Sequence, residues 1–363
     1  MRNPRPNALV GRPFFNIATE YLLVGGGLSL LCTAFLKWGP YHPQTYTGLA
    51  LATVLLVSNS AHFASSTVRL YTKPGAFQTW PFLTMVFPLV SLVVLGLCVA
   101  APKGIGTHLQ SLYLTWSPYH YAAQAYGLAV LYSYRSGCAL APADKRWLRA
   151  VCMLPFVYAF ISAPGAGLFW FLSKAQVQAV PVAGSALHAL GMVLPWVGFL
   201  APFALYFKIW HSKSGPMPLI ALLAILANGV WWFTLTAMGA FFWATVFHGL
   251  QYLVIVMVFH VRDHMQQPDN TRTATAHVLR FYGLCLLLGY GLFHTLPWAF
   301  GWAGFGRVES MLLVIAAINL HHFVVDGFIW KLRPGDSNRR VVEAGVNVGA
   351  APALAGTAHQ GAA

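Results

Sequence analysis

From Ser214 to Val261 the chain runs 48 residues without one Lys, Arg, Asp or Glu. In hydrocarbon every backbone N–H and C=O must be satisfied within the spanning structure, and an α-helix does this inside one segment. An apolar helix crosses a bilayer in about 20 residues. The uncharged run therefore reads as two spans, 216–235 and 238–260. Similar runs at 15–37, 47–69, 80–101, 108–134, 148–172, 180–207, 279–300 and 308–331 bring the expectation to ten. The predicted fold class is all-α, a polytopic integral membrane helical bundle of about ten transmembrane helices. Only 8% of the residues are charged, against about 25% in soluble domains. The expected organisation is a cytoplasmic N-terminus over 1–14, a transmembrane bundle over 15–333, and a disordered Ala/Gly-rich cytoplasmic tail over 334–363.

A formal charge of +14 could point to nucleic acid, but the basic residues follow membrane topology. With the N-terminus placed inside, 18 of the 22 Lys and Arg fall on that side, leaving Lys37, Lys103, Lys174 and Arg307 outside. That bias is the positive-inside pattern. It predicts an integral membrane protein, of the bacterial inner membrane, with both termini cytoplasmic and no nucleic-acid partner. Cys32, Cys98, Cys138, Cys152 and Cys285 have no CxxC spacing and read as packing residues.

Six of the fourteen histidines lie inside spans away from their edges: His62, His120, His248, His294, His321 and His322. At 1.5 Å of rise per residue, His120, His248 and His294 sit about 21–23 Å from the basic residue at their cytoplasmic end. His321 and His322 sit at about 14–15 Å and His62 at about 10 Å. A lone intramembrane histidine is ordinarily an interhelical hydrogen-bond partner. Six on five helices, within one band of depth, point instead to a shared metal site. Most have a polar neighbour one turn away: Asn59 for His62, Gln124 for His120, Gln251 and Tyr252 for His248, Asn319 and Asp326 for His322. Metal-bound imidazoles usually hand their second nitrogen to such a group. Of the three carboxylates within spans, Glu20 and Glu309 read as interfacial and Asp326 as functional, the default for an intramembrane ionisable residue. The expected ligands are His62, His120, His248, His321 and His322, with Asp326, Gln124 and Tyr252 in catalytic roles.

The segment HVRDH, His260 to His264, has i, i+4 spacing that suits one metal ion and equally suits a hydrated helix end. The roles of His260, His264 and His294 stay open. His42, His108, His188, His211, His277 and His359 fall at edges, loops or the tail and read as solvated or interfacial. Glu20, Glu309 and Asp326 are too few acids for a carboxylate-bridged di-iron bundle. No HExxH, GxSxG or P-loop motif occurs.

HVRDH and HHFVVD (His321 to Asp326) resemble the histidine boxes of integral-membrane non-haem iron oxygenases, the desaturase/hydroxylase enzymes and the Brp/Blh-type carotenoid-cleaving oxygenases. The resemblance covers those two segments alone. It implies iron held by histidines and O₂ chemistry on a lipid or isoprenoid, a hydrophobic small-molecule or lipid substrate met in the bilayer. Thiolate-free imidazole ligation suits Fe, Cu or Zn. Non-haem iron is the first expectation, with haem, Cu or Zn as alternatives. The other function class is a polytopic transporter, or a haem- or copper-binding carrier, using intramembrane His and Asp.

Overall fold

The computed structural model of the protein describes residues 9–39, 52–73, 75–235, 237–330 and 341–342. It is all-α among these residues. The main helices are α1 (Ile17–Val24), α2 (Gly27–Trp38), α3 (Ala61–Thr72), α4 (Phe82–Ala100), α5 (Thr107–Arg135), α6 (Pro142–Ser162), α7 (Pro181–Trp210), α8 (Leu219–Thr234), α9 (Ala237–Met265), α10 (Ala274–Tyr290) and α11 (Arg307–Ile329). Short π-helical turns lead into α3 and α4 and extend α10 as far as Trp302.

Among the described residues six helices are long and apolar enough to cross a membrane, or seven if the bent pair α1–α2 is one span. The expectation of ten is therefore too high, for separate reasons. The span placed at 47–69 begins outside the described residues. The one at 216–235 is a 16-residue helix, Leu219–Thr234. The one at 108–134 is a 29-residue helix of ample length, but its polar side chains make it too hydrophilic. Those polar groups point inward: Ser117, His120 and Ser133 are all buried.

The bundle is layered by burial. The most apolar windows of α9 and α11 are 67% and 61% buried, against 28% for α4 and 22% for α7. The outer helices show bare apolar side chains, such as Leu89, Val93 and Leu97 on α4 and Trp196 and Leu200 on α7. A contiguous exposed apolar surface of this kind needs lipid around it. The protein is an integral membrane protein with polar groups gathered in its interior.

Three local features set how closely the inner helices approach. At the α1–α2 break the chain turns by 49°. Gly26 adopts φ +78°, and a Cβ there would collide with Ala227 of α8, so only glycine serves. The break frees the carbonyl of Val24, which accepts a hydrogen bond from Gln251 Nε2 at 2.9 Å. On α9, a Cβ at Gly249 would lie 3.0 Å from the Ser58 carbonyl oxygen and 3.3 Å from His62 Cβ. On α10, a Cβ at Gly289 would lie 2.8 Å from the Ser60 carbonyl. Small residues of this kind let membrane helices touch backbone to backbone, and here they seat the start of α3 between α9 and α10.

One end of the bundle is closed by arginines. Arg135 donates to the carbonyls of Arg12 (3.1 Å), Pro13 (2.9 Å) and Val342 (3.2 Å). Arg262 donates to those of Phe14 and Val341. Beneath them the fully buried Glu20 accepts from Tyr132 Oη at 2.6 Å and from Phe15 N at 2.7 Å. Both terminal segments thus meet at the end that carries Arg135 and Arg262. The tail expected at 334–363 lies outside the described residues except for Val341 and Val342, which are buried against the core.

Gly289→Ala forces a methyl group onto the backbone of Ser60, two residues before His62. We expect a loss of about 1–3 kcal/mol, read as a lower melting temperature in detergent. Gly283→Ala, on the same helix with nothing within 4 Å of the new Cβ, should melt like the native protein. Equal behaviour of the two variants would contradict the close α3–α10 contact.

Candidate metal centre

Four inner helices each contribute one imidazole: His62 from α3, His120 from α5, His248 from α9 and His322 from α11. One nitrogen from each lies within 4.8 Å of the others. Ring centroids are 4.8 Å apart for His62–His248, 4.4 Å for His62–His322, 4.9 Å for His120–His248 and 5.1 Å for His120–His322. Imidazoles bonded to one ion at about 2 Å hold their centroids roughly 5 Å apart, so the spacing is that of a ligand set. His62 and His322 are fully buried, and His120, at 9% exposure, is the most accessible of the four.

The hydrogen-bond inventory strengthens this assignment. Both ring nitrogens of His62, and the Nε2 atoms of His120, His248 and His322, are buried without a hydrogen-bond partner. Buried polar atoms nearly always have one, and leaving one unpaired costs about 1–3 kcal/mol. Several unpaired lone pairs converging on one point are accounted for by a cation.

The surroundings fix ring orientation. Ser66 Oγ donates to the Phe63 carbonyl at 3.3 Å and lies 2.9 Å from His322 Nδ1. With its proton so engaged, the hydroxyl accepts from Nδ1–H and leaves the Nε2 lone pair facing the other imidazoles. Phe323 stacks on His120 at 4.3 Å, and Tyr121 packs on His248 at 4.3 Å while its hydroxyl is within 2.8 Å of Thr245 Oγ1. Asp326 sits at the rim, with Oδ2 3.3 Å from His322 Nε2 and 3.9 Å from His120 Nε2. Its other oxygen accepts from Tyr252 Oη at 2.6 Å, and Tyr252 Oη in turn accepts from Trp330 Nε1 at 3.1 Å.

Of the residues singled out in the sequence, His62, His120, His248 and His322 come together, with Asp326 and Tyr252 beside them. His321 does not join them. Its ring stacks on Phe87 of α4 at 4.9 Å and 13°, because adjacent residues on a helix point about 100° apart. The amides also act differently from the expected imidazole partners. Gln124 Nε2 donates to the His248 carbonyl (3.3 Å) and to Gln251 Oε1 (3.4 Å), and Asn319 Nδ2 donates to the Ile315 carbonyl (2.7 Å). Asn59 Oδ1 has no partner. In their place Ser66 bonds the His322 ring, while Tyr252 and, through it, Trp330 hold Asp326 beside the group. Ser66 lies four residues after His62, so helical spacing alone could have placed it on the same face.

His294 is away from the centre, stacked on Tyr290 at 5.0 Å. HVRDH is also separate, at the arginine-closed end of α9, where Arg69 Nη2 bonds Asp263 Oδ2 at 3.0 Å. His277, expected to be solvated or interfacial, is buried. His108 Nδ1 accepts from Trp170 Nε1 at 3.0 Å, and His42 and His359 lie outside the described residues.

Beside the four imidazoles lies a cavity of about 530 Å³, lined by His120, Gln124, Tyr252, Asp326 and apolar groups including Trp116, Phe323 and Gly127. A neighbouring cavity of about 510 Å³ shares Tyr119, Ala123, Tyr126, Asp326, Gly327 and Trp330 with it and reaches Arg149 and Met153 on α6. Asp326 therefore faces the histidines on one side and apolar space on the other.

The chain matches no family model, no curated protein and no solved structure. The fold and the site together define a polytopic helical membrane protein with a buried four-histidine group that could hold a metal ion.

Ser66→Ala removes the acceptor that fixes the His322 tautomer. Loss of such an orienting contact typically weakens metal binding 10–100-fold, and we expect that range in a chelator competition with the purified protein. An unchanged affinity would mean that Ser66 does not orient His322.

Proposed function

We propose that the protein is a membrane-embedded metalloenzyme. In this reading His62, His120, His248 and His322 hold an iron ion that serves in the oxidation of a lipid or isoprenoid. The observation that carries the proposal is that one of the four histidines, His120, lines an apolar, aromatic-walled cavity together with Asp326. A purely structural ion would need no such space. Pockets of a few hundred Å³, mainly apolar with a few convergent polar groups, are the usual form of a small-molecule site.

The chemistry the ion would supply is redox activation of O₂. The chain's own residues would do the rest. His120 and Asp326 face both the ion and the cavity, so a substrate carbon seated there lies next to the reacting centre. Asp326, held by Tyr252 and through it by Trp330, is placed to accept or return a proton at Oδ2. Gln124 adds a polar group on the same wall. Trp116 and Phe323 exclude water and give an apolar chain its contacts.

The haem alternative fits less well. A porphyrin occupies the plane between its axial ligands, and the four imidazoles leave no room for one between them. A bare ion fits, and imidazole-only ligation suits copper and zinc as well as iron.

Elemental analysis and an optical spectrum of the detergent-purified protein, run beside His322→Ala, test the metal. We expect iron in the native protein, no Soret band, and near-complete loss of iron in the variant. A Soret band would favour the haem carrier. Equal metal in both proteins, or none in either, would remove the enzyme reading and favour transport.

The cavity is tested separately. Added Cβ atoms at Gly127 and Gly327 would meet nothing within 4 Å, so Gly127→Phe and Gly327→Leu should fill the space without disturbing the helices. We expect normal metal content and melting, with turnover or binding of an apolar substrate reduced at least ~10-fold, which is about 1.4 kcal/mol. Unaltered turnover would place the substrate elsewhere.

A further inference from the structure

A second group of imidazoles lies at the arginine-closed end of the bundle, outside the proposed catalytic centre. His260 and His264 are one turn apart on α9, and His277 faces them from the first turn of α10. Ring centroids are 4.1 Å apart for His260–His264, 5.2 Å for His264–His277 and 6.5 Å for His260–His277. His260 and His277 are buried, and His264 is half-buried at the mouth of an exposed loop.

The nitrogens of two of these rings are assigned by their neighbours. His264 Nδ1 lies 2.9 Å from the His260 carbonyl. A carbonyl only accepts, so Nδ1 carries the proton and Nε2 keeps its lone pair. His277 Nε2 lies 2.8 Å from Asn270 Oδ1. The orientation of that amide is fixed, because Oδ1 also accepts from Arg272 N at 3.1 Å and Nδ2 donates to the Arg272 carbonyl at 3.0 Å. Nε2 of His277 therefore carries its proton, and Nδ1 keeps the lone pair.

Imidazoles with one nitrogen tied to a carbonyl or amide oxygen and the other free are arranged as metal ligands usually are. Asp263, between the two α9 histidines in sequence, has Oδ2 tied to Arg69 and Oδ1 without a partner, and the ligand set argued from the ring positions is the three imidazoles.

We propose that His260, His264 and His277 form a second site, for a divalent transition-metal ion, that links α9 to α10 and is separate from the four-histidine centre. The separation is large. His260 follows His248 by 12 residues on the same helix, about 18 Å of rise, so no ion can bridge the two groups. His264 is at ligand-set spacing from both of the others, while His260 and His277, 6.5 Å apart, must draw together for all three to bind one ion. Imidazole-only coordination selects Zn²⁺, Co²⁺, Ni²⁺ or Cu²⁺ over Mg²⁺ or Ca²⁺, which prefer oxygen. Water or an exchangeable ligand fills the remaining position, since His264 borders the exposed loop.

The test uses the full-length protein in detergent, stripped with chelator and titrated with Co²⁺ under equilibrium dialysis. Native protein should bind two classes of Co²⁺. The double variant His264→Ala/His277→Ala should lose one class and retain the other, while His322→Ala should lose the opposite class. Asn270→Ala, which frees the His277 tautomer, should weaken the same class as the double variant 10–100-fold. An identical number and affinity of Co²⁺ in native protein and in the double variant overturns the proposal. A second measurement needs no variant. Zn²⁺ added to native protein should protect His264 and His277 from diethyl pyrocarbonate, read by peptide mass spectrometry, and EDTA should restore labelling. Labelling that is equal with and without Zn²⁺ overturns the proposal irrespective of how the variants fold.

Discussion

A polar atom buried in hydrocarbon must find a partner or carry a free-energy cost of a few kcal/mol, and this requirement shapes most of the inner architecture. Backbone groups meet it through helices. Where a helix breaks, as between α1 and α2, the freed Val24 carbonyl is met by Gln251. Where arginines enter the buried end of the bundle, they bond the carbonyls of both terminal segments. Among the buried polar atoms that protein groups leave unmet, those that converge on one point are the imidazole nitrogens of His62, His120, His248 and His322. Removing the histidines would simplify the core. Keeping them on four separate helices is intelligible if a cation is their partner.

The approach of those helices is as specific as the ligands they bear. His62 reaches the group because α3 is pressed against α9 at Gly249 and because its preceding π-helical turn is pressed against α10 at Gly289. A π-turn inserts an extra residue and rotates the helix beyond it, and such turns collect at functional sites. Ligand position thus depends on residues with no chemistry of their own. Asp326 depends in the same way on Tyr252 and Trp330, which come from α9 and from the end of α11.

Much of this is legible in the sequence, and the parts that are not share a cause. Helical class, membrane residence and the identity of four histidines can be read from apolar length and from polar residues placed at depth. The span count cannot. Hydropathy and buriedness diverge where a helix lines a polar interior, and α5 is hydrophilic because its Ser117, His120 and Gln124 face inward. His321 and His322 are inseparable by composition. Only the direction of α11 decides that His322 meets the other ligands while His321 meets Phe87. His277 reads as peripheral because its helix begins in a polar loop, but α9 packs over it.

The amides show why pairing by helical spacing is an incomplete guide. Gln124, Gln251 and Asn319 each lie one turn from a histidine, yet each donates to a backbone carbonyl or to another amide. Gln251 meets the Val24 carbonyl at the helix break, whereas an imidazole nitrogen can be met by an ion. Had an amide NH₂ donated to a ring nitrogen, that lone pair would be lost to coordination, whereas an amide oxygen would take only a ring N–H. The amides go to the backbone or to one another, Ser66 takes the His322 Nδ1 proton, and Asp326 stays close to two rings without closing a hydrogen bond to either. This division of partners leaves a nitrogen of each of the four rings without a protein partner, and these rings stand beside the apolar cavity that His120 and Asp326 line.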